Sequence, residues 1–295
     1  MKKIIALAVA GAFVVPAVHA AEITLGGEIE YVMIMEEGTD DRISDNDNLI
    51  FVQGTDELPN GMTVTGIMQI VNDTDTGAGS LDNQGTSLTF AGDFGSLAIG
   101  DVSGASDATG DWTDIAPTGG GFGADGDDHA FLLTLPAMNG VTLRASFAPD
   151  GANTIGEGDG DVSPEGGNAI SLTYSGAVDL YYAQQEDAAT NLKDAAYGVR
   201  GSFSGISIAY ESASEEAASG NDNDVSGFSM SYKMGDIVLG GEKQEEKIEG
   251  SDATVDLTLL FVEYNLGPVD IYAASLATDV TSDNDEVRVG VEYNF

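Results

Sequence analysis

The chain has 295 residues, fifty acidic against ten basic, for a formal net charge of −40 at pH 7. So negative a surface makes nucleic acid and anionic lipid head groups poor partners, and the absence of cysteine leaves the fold without disulfides. Self-repulsion on this scale destabilises a compact state in dilute buffer but is screened beyond ~3 Å in ~1 M salt; the composition therefore points to a halophile-like protein working in brine, with Ca²⁺ loading as the alternative.

The first residues read as a Sec signal peptide. Lys2 and Lys3 precede an apolar stretch from Ile4 to Val15, and Val18-His19-Ala20 resembles a cleavage site, so residues 1–20 are expected to be removed. The stretch is shorter than the ~20 residues of a membrane-spanning helix. The chain from Ala21 to Phe295 keeps eight basic and all fifty acidic residues, a formal −42. No later apolar run is long enough for a spanning helix.

Beyond residue 20 the chain alternates apolar and polar in short pieces. In Val141-Thr142-Leu143-Arg144-Ala145-Ser146-Phe147 the apolar residues share one face and Thr, Arg and Ser the other; Ile206 to Glu211 and Val287 to Phe295 repeat the pattern. Sixteen such strands are predicted: 22–35, 47–56, 61–71, 85–92, 95–101, 128–136, 140–148, 168–175, 177–185, 195–203, 206–213, 224–233, 236–244, 252–264, 268–277 and 285–295. Tight turns such as Pro59-Asn60-Gly61 and Met138-Asn139-Gly140 alternate with long acidic loops, of which 102–127 is the longest. Lipid cannot satisfy a free strand edge. An even number of antiparallel strands with short turns on one rim and long loops on the other is expected to close as a transmembrane barrel in an outer membrane. Two stretches are not clean: 253–264 is apolar on both faces, and 177–184 alternates poorly. Packing on a subunit partner or local bulges would explain them.

Tyr174, Phe203, Tyr232, Tyr264 and Tyr293 recur at intervals of 29, 29, 32 and 29 residues, the first four just before a glycine turn and the last beside the terminal Phe295. One strand pair plus one long loop returns the chain to the same rim each time. These six aromatics are expected to form a girdle at one membrane interface.

The order of several short runs is similar to the Gram-negative general porin family over most of the chain. Ile23-Thr24-Leu25-Gly26-Gly27-Glu28-Ile29 resembles its first strand, and Gly54-Thr55-Asp56-Glu57-Leu58-Pro59-Asn60-Gly61-Met62 its "GTEDLGNGL" hairpin. Phe94-Gly95-Ser96-Leu97-Ala98-Ile99-Gly100 resembles the run entering its third loop, and Gly290 to Phe295 its closing strand. The resemblance implies an all-β, sixteen-stranded barrel, usually a homotrimer, with the third loop folded into the lumen and a C-terminal phenylalanine read by the outer-membrane insertion machinery. Pro117-Thr118-Gly119-Gly120 stands where the family often has "PEFGG". The family's usual basic wall opposite that loop is reduced: Asn48 or a neighbour, and Asp101, stand where arginines are usual. The small residues Ser96, Ala98 and Gly100 are compatible with a packed subunit interface.

By alternation, Arg144, Arg200 and Arg288 should point into the lumen from mid-strand. The constriction should be lined by Asp101, Asp107, Asp111, Asp114, Asp125, Asp127 and Asp128. Carboxylate rings favour cations, so the expected protein is a cation-preferring, water-filled pore for ions and small hydrophilic solutes, set in outer-membrane lipid. A secreted acidic β-protein binding calcium or polysaccharide, and a plugged structural barrel, are the rival readings. Chemistry is not expected. His129 stands alone beside Asp127 and Asp128, no nucleophile–base pair is visible, and no cofactor or dedicated metal site is implied. Gly120 to Asp125 matches a calcium β-helix repeat once where tandem copies are needed, and Asp159-Gly160-Asp161 lacks the later ligands of an EF-hand. Trp112 either lines the constriction or anchors the loop to the wall.

Overall fold

A computed structural model describes residues 22–36, 38–73, 80–106, 112–117, 128–148, 167–187, 192–216, 222–248, 254–279 and 285–295. Sixteen strands run in chain order: β1 (Glu22–Glu36), β2 (Arg42–Glu57), β3 (Thr63–Asp73), β4 (Ser80–Gly92), β5 (Gly95–Ser103), β6 (Asp128–Thr134), β7 (Val141–Ala148), β8 (Gly167–Tyr174), β9 (Asp179–Asp187), β10 (Lys193–Phe203), β11 (Ile206–Glu215), β12 (Asn223–Met234), β13 (Ile237–Ile248), β14 (Thr254–Asn265), β15 (Val269–Thr278) and β16 (Glu286–Asn294). Each pairs antiparallel with the next, and β16 returns to β1, so the sheet closes without an edge. The count matches the alternation.

Some strands run further than their apolar segments. β2 begins at Arg42 instead of 47, β4 at Ser80 instead of 85, and β13 reaches Ile248. Those ends are mostly polar, with a single apolar residue each (Ile43, Leu81, Ile248), and read as loop, yet backbone pairing continues whatever the side chains. Register shifts lie at Glu28/Glu30, Gln69/Ile70 and Ile99/Val102. At the first, the Asn48 carboxamide accepts the Glu30 amide at 3.3 Å.

Successive residues face opposite sides. On β1, Ile29, Tyr31 and Met33 are exposed outward while Glu30, Val32 and Ile34 are buried inward. Register carries this parity round the barrel. Ser96, Ala98 and Gly100 share the inward row of Ala91, Thr89 and Ser87, whereas Leu97 and Ile99 align with outward-facing Leu133 and Phe131. The small residues of β5 therefore cannot make the packed subunit interface that their size suggests, because closure turns that face inward.

The closing seam has a specific construction. Gly27 and Phe295 exchange both backbone hydrogen bonds at 3.0 Å. The Phe51 ring lies against the inward side of Gly26 and the Phe295 ring against the outer side of Gly27; a Cβ on Gly27 would stand 2.7 Å from that ring and 2.5 Å from the Leu49 carbonyl. Tyr293 and Phe295 stack with centroids 5.6 Å apart. Inside, the Tyr272 hydroxyl donates to Glu30, and its ring packs over Gly290 and against Val32 and Ile34.

Candidate functional site: the lumen and its inward loop

The loop between β5 and β6 turns into the barrel. Its described residues, 104–106 and 112–117, run along the inner wall from β7 to β15. The Ala105 amide donates to Ser146 Oγ on β7 at 2.7 Å, and Ser106 Oγ to Gln185 on β9 at 2.8 Å. The Trp112 amide donates to Glu211 Oε2 on β11, and the Ile115 amide to Glu242 Oε2 on β13, both at 3.1 Å. Ile115 and Ala116 pack on Leu259, Phe261 and Ala274, beside Val238 and Leu276.

This docking accounts for the stretches that alternate poorly. On β14, Leu259 and Phe261 face inward under the loop while Leu260 and Val262 face outward. On β9, Tyr181 points inward, edge-on to Trp112 at 4.7 Å, and Tyr182 points outward. The two-sided apolar run was the sequence signal for a loop seat, and a partner subunit is not needed to explain it. Trp112 is buried, and the Arg200 guanidinium lies 4.3 Å from its ring centroid. Of its two readings the structure selects the wall anchor.

Arg144, Arg200 and Arg288 all lie on the inward face. Arg144 donates to Thr173 Oγ1 at 3.2 Å, Arg200 pairs with Asp179 at 3.2 Å, and Arg288 pairs with Glu286. Asp101 follows the bulge at Gly100 and reaches beside Gly85. Asp114 sits in the docked loop next to Glu242. Asp107, Asp111, Asp125 and Asp127 lie outside the described residues, as does the side chain of Asp128, which opens β6. His129 belongs to β6 with its side chain likewise outside, and the two calcium-like motifs also fall outside.

The register adds acids that reading single strands missed. Glu30, Glu292 and Asp270 stand directly opposite one another on β1, β16 and β15, and Glu36 opposes Glu286. Like charges in cross-strand pairs are unfavourable in a sheet, so this row is a cost borne by the inner wall. Further round, β2–β4 present Gln53, Thr55, Thr65, Gln69, Ser87 and Thr89 inward, none of them charged. Among the described residues no group of three or more His, Cys, Asp or Glu could hold a metal ion.

On the outside, Tyr174, Phe203, Tyr232, Tyr264 and Tyr293 each stand within three residues of the short-turn end of an even-numbered strand, and all are exposed, as is Phe295.

The closed sixteen-stranded antiparallel barrel matches the fold of solved porins. A mutant of the Rh. blastica porin shares the fold with a TM-score of 0.75 at 16% identity, covering 93% of this chain and 100% of that one. The anion-selective porin from Comamonas acidovorans gives 0.71 at 16%, over 93% and 100%. OmpT, an outer membrane protein of Vibrio cholerae, folded in vitro and in its trimer form, gives 0.70 at 15%, over 94% and 100%. No curated protein matches in sequence. The family model for Gram-negative porins matches residues 6–295, and the chain belongs to that family. It is accordingly a porin of the bacterial outer membrane.

Proposed function

We propose that the chain forms a cation-preferring, water-filled channel through which ions and small hydrophilic solutes diffuse passively, without cofactor or chemistry. The observation that carries this is the charge of the inner wall. Two of its three mid-strand arginines are paired with carboxylates, whereas Glu30, Glu292 and Asp270 form an acidic row. Carboxylate-lined pores concentrate cations and repel anions. The constriction is assigned to the inward loop and its root, with Asp101, Asp107, Asp111, Asp114, Asp125, Asp127 and Asp128 as its acids.

The exposed aromatics at the short-turn rim support a periplasmic-side girdle, since amphipathic rings favour the membrane–water interface. Export through the Sec pathway with loss of residues 1–20, insertion guided by Phe295, and assembly as a homotrimer complete the proposal. Single-channel recording tests it: purified protein should give conductance steps in a planar bilayer, and a KCl gradient should give a reversal potential of cation sign. An anion sign would refute the preference, and absence of steps would refute the open channel.

A further inference from the structure

Three inward residues on adjacent strands bear on three loop residues, Trp112, Thr113 and Ile115. Glu211 on β11 and Glu242 on β13 are each 3% exposed, and each gives an oxygen to a loop amide, Trp112 and Ile115 respectively. Between them, on β12, is Gly227, paired in register with Glu211. A Cβ there would lie 2.5 Å from Thr113 Oγ1 and 3.0 Å from Thr113 Cβ, and Thr113 is 1% exposed. Burying a carboxylate is costly unless it is hydrogen-bonded, and the barrel has no use for this cost, because β11–β13 pair through their backbones regardless of inward side chains. The loop does have a use for it. The Trp112 amide is buried and the Ile115 amide partly so, and buried N–H groups need acceptors.

We propose that Glu211, Gly227 and Glu242 form a cradle that positions the inward loop and thereby sets the open cross-section of the pore. The glutamates hold the loop by its amides, and the glycine lets Thr113 sink between them. They are positioning residues, acting through the loop. The inference rests on the pore reading for its consequence and on the contacts alone for its geometry.

Trp112 is the sole tryptophan of the chain and is 7% exposed, so its fluorescence reports the seat independently of conduction. The full chain without residues 1–20, refolded in detergent, provides the baseline. A Glu211→Ala/Glu242→Ala double variant should shift Trp112 emission to the red and raise single-channel current noise, while heat-modifiable migration on SDS gels shows the barrel intact. The Glu211→Gln/Glu242→Gln pair keeps a side-chain acceptor at each point and should retain the unsubstituted emission. Gly227→Val perturbs from beneath; it should also shift the emission, and adding Thr113→Gly should reverse that shift. If the alanine pair does not fold, the Gly227→Val and Thr113→Gly rescue decides. Unchanged emission in the alanine pair or in Gly227→Val, or glutamine variants as perturbed as alanine ones, would overturn the cradle. Silence of the unsubstituted protein in bilayers would instead count against the pore, with the emission data still deciding the cradle.

Discussion

Phe295 closes the barrel at Gly27, and this contact can be separated from any role in delivery to the membrane by folding the protein in detergent, where no insertion machinery is present. Burying a phenylalanine completely is worth about 1.5–3 kcal/mol. Phe295 remains 48% exposed on the detergent side, so truncation to alanine removes only the half of the ring packed on the seam, at about 1 kcal/mol. Deleting the residue also removes its two backbone bonds to Gly27, at about 1 kcal/mol each, and strands two polar groups at about 1–3 kcal/mol apiece, with lipid offering no replacement. The deletion should therefore cost several times as much as Phe295→Ala. Gly27→Val, which forces a side chain onto the Leu49 carbonyl, should resemble the deletion. Urea titration of refolding, read by the gel shift between boiled and unboiled samples, gives the three midpoints. Equal shifts for Phe295→Ala and the deletion would mean that the backbone exchange contributes nothing to closure. No shift in either would mean that the terminal ring is not part of the seam.

The inner wall yields three more. Phe261→Ala should open a cavity under Ile115 and Ala116 costing about 3–5 kcal/mol; because the strands stay paired, it should show as faster proteolysis within residues 102–127 while the barrel resists. Arg288→Gln frees Glu286 and should move the reversal potential further toward cations, with Glu286→Gln moving it back; identical potentials in both would show that this pair lies off the ion path. Tyr272→Phe removes the donor to buried Glu30 and should destabilise the barrel by about 1–3 kcal/mol, read as a lower urea midpoint, with conductance nearly unchanged.

Strand number, closure and rim assignment were legible because alternation is a local property. A strand buried on one side and lipid-facing on the other writes its structure into consecutive residues, as Val141 to Phe147 does. The loop seat was only half legible. The two-sided apolar run on β14 showed that something covers Leu259 and Phe261, but what covers them, Ile115 and Ala116, is more than 140 residues away in the chain. Glu211 and Glu242 looked like ordinary polar positions on alternating strands, and nothing in their neighbourhoods distinguishes a loop anchor from a solvated lumen residue. The same holds for the row Glu30, Glu292 and Asp270, which exists only once the first strand is paired with the last two. Ser96, Ala98 and Gly100 misled because small residues suit a subunit contact and a lumen equally, and parity alone separates the two.

The composition makes one demand on stability that the structure sharpens. Among the described residues there are six ion pairs: Arg42–Glu36, Lys193–Glu186, Arg200–Asp179, Lys243–Asp256, Lys247–Glu245 and Arg288–Glu286. They engage six of the eight basic residues that remain after residue 20. Salt weakens such pairs, most of which are well exposed and individually contribute little. It also screens the repulsion among fifty acids, of which at most eight could have a basic partner of their own. Acidic residues greatly outnumber basic ones, so screening should stabilise the folded state on balance. The loop seat gives no reason for an opposite trend, since its two glutamates are buried, where salt screens little, and the rest is an apolar cluster. Raising NaCl from 0.1 to ~1 M, where the Debye length falls from ~10 to ~3 Å, should raise the urea midpoint of refolding and pull the reversal potential toward zero, with Trp112 emission unchanged. A midpoint that fell as salt rose would mean that the few ion pairs outweigh the repulsion, and the acidic composition would then need a cause other than brine.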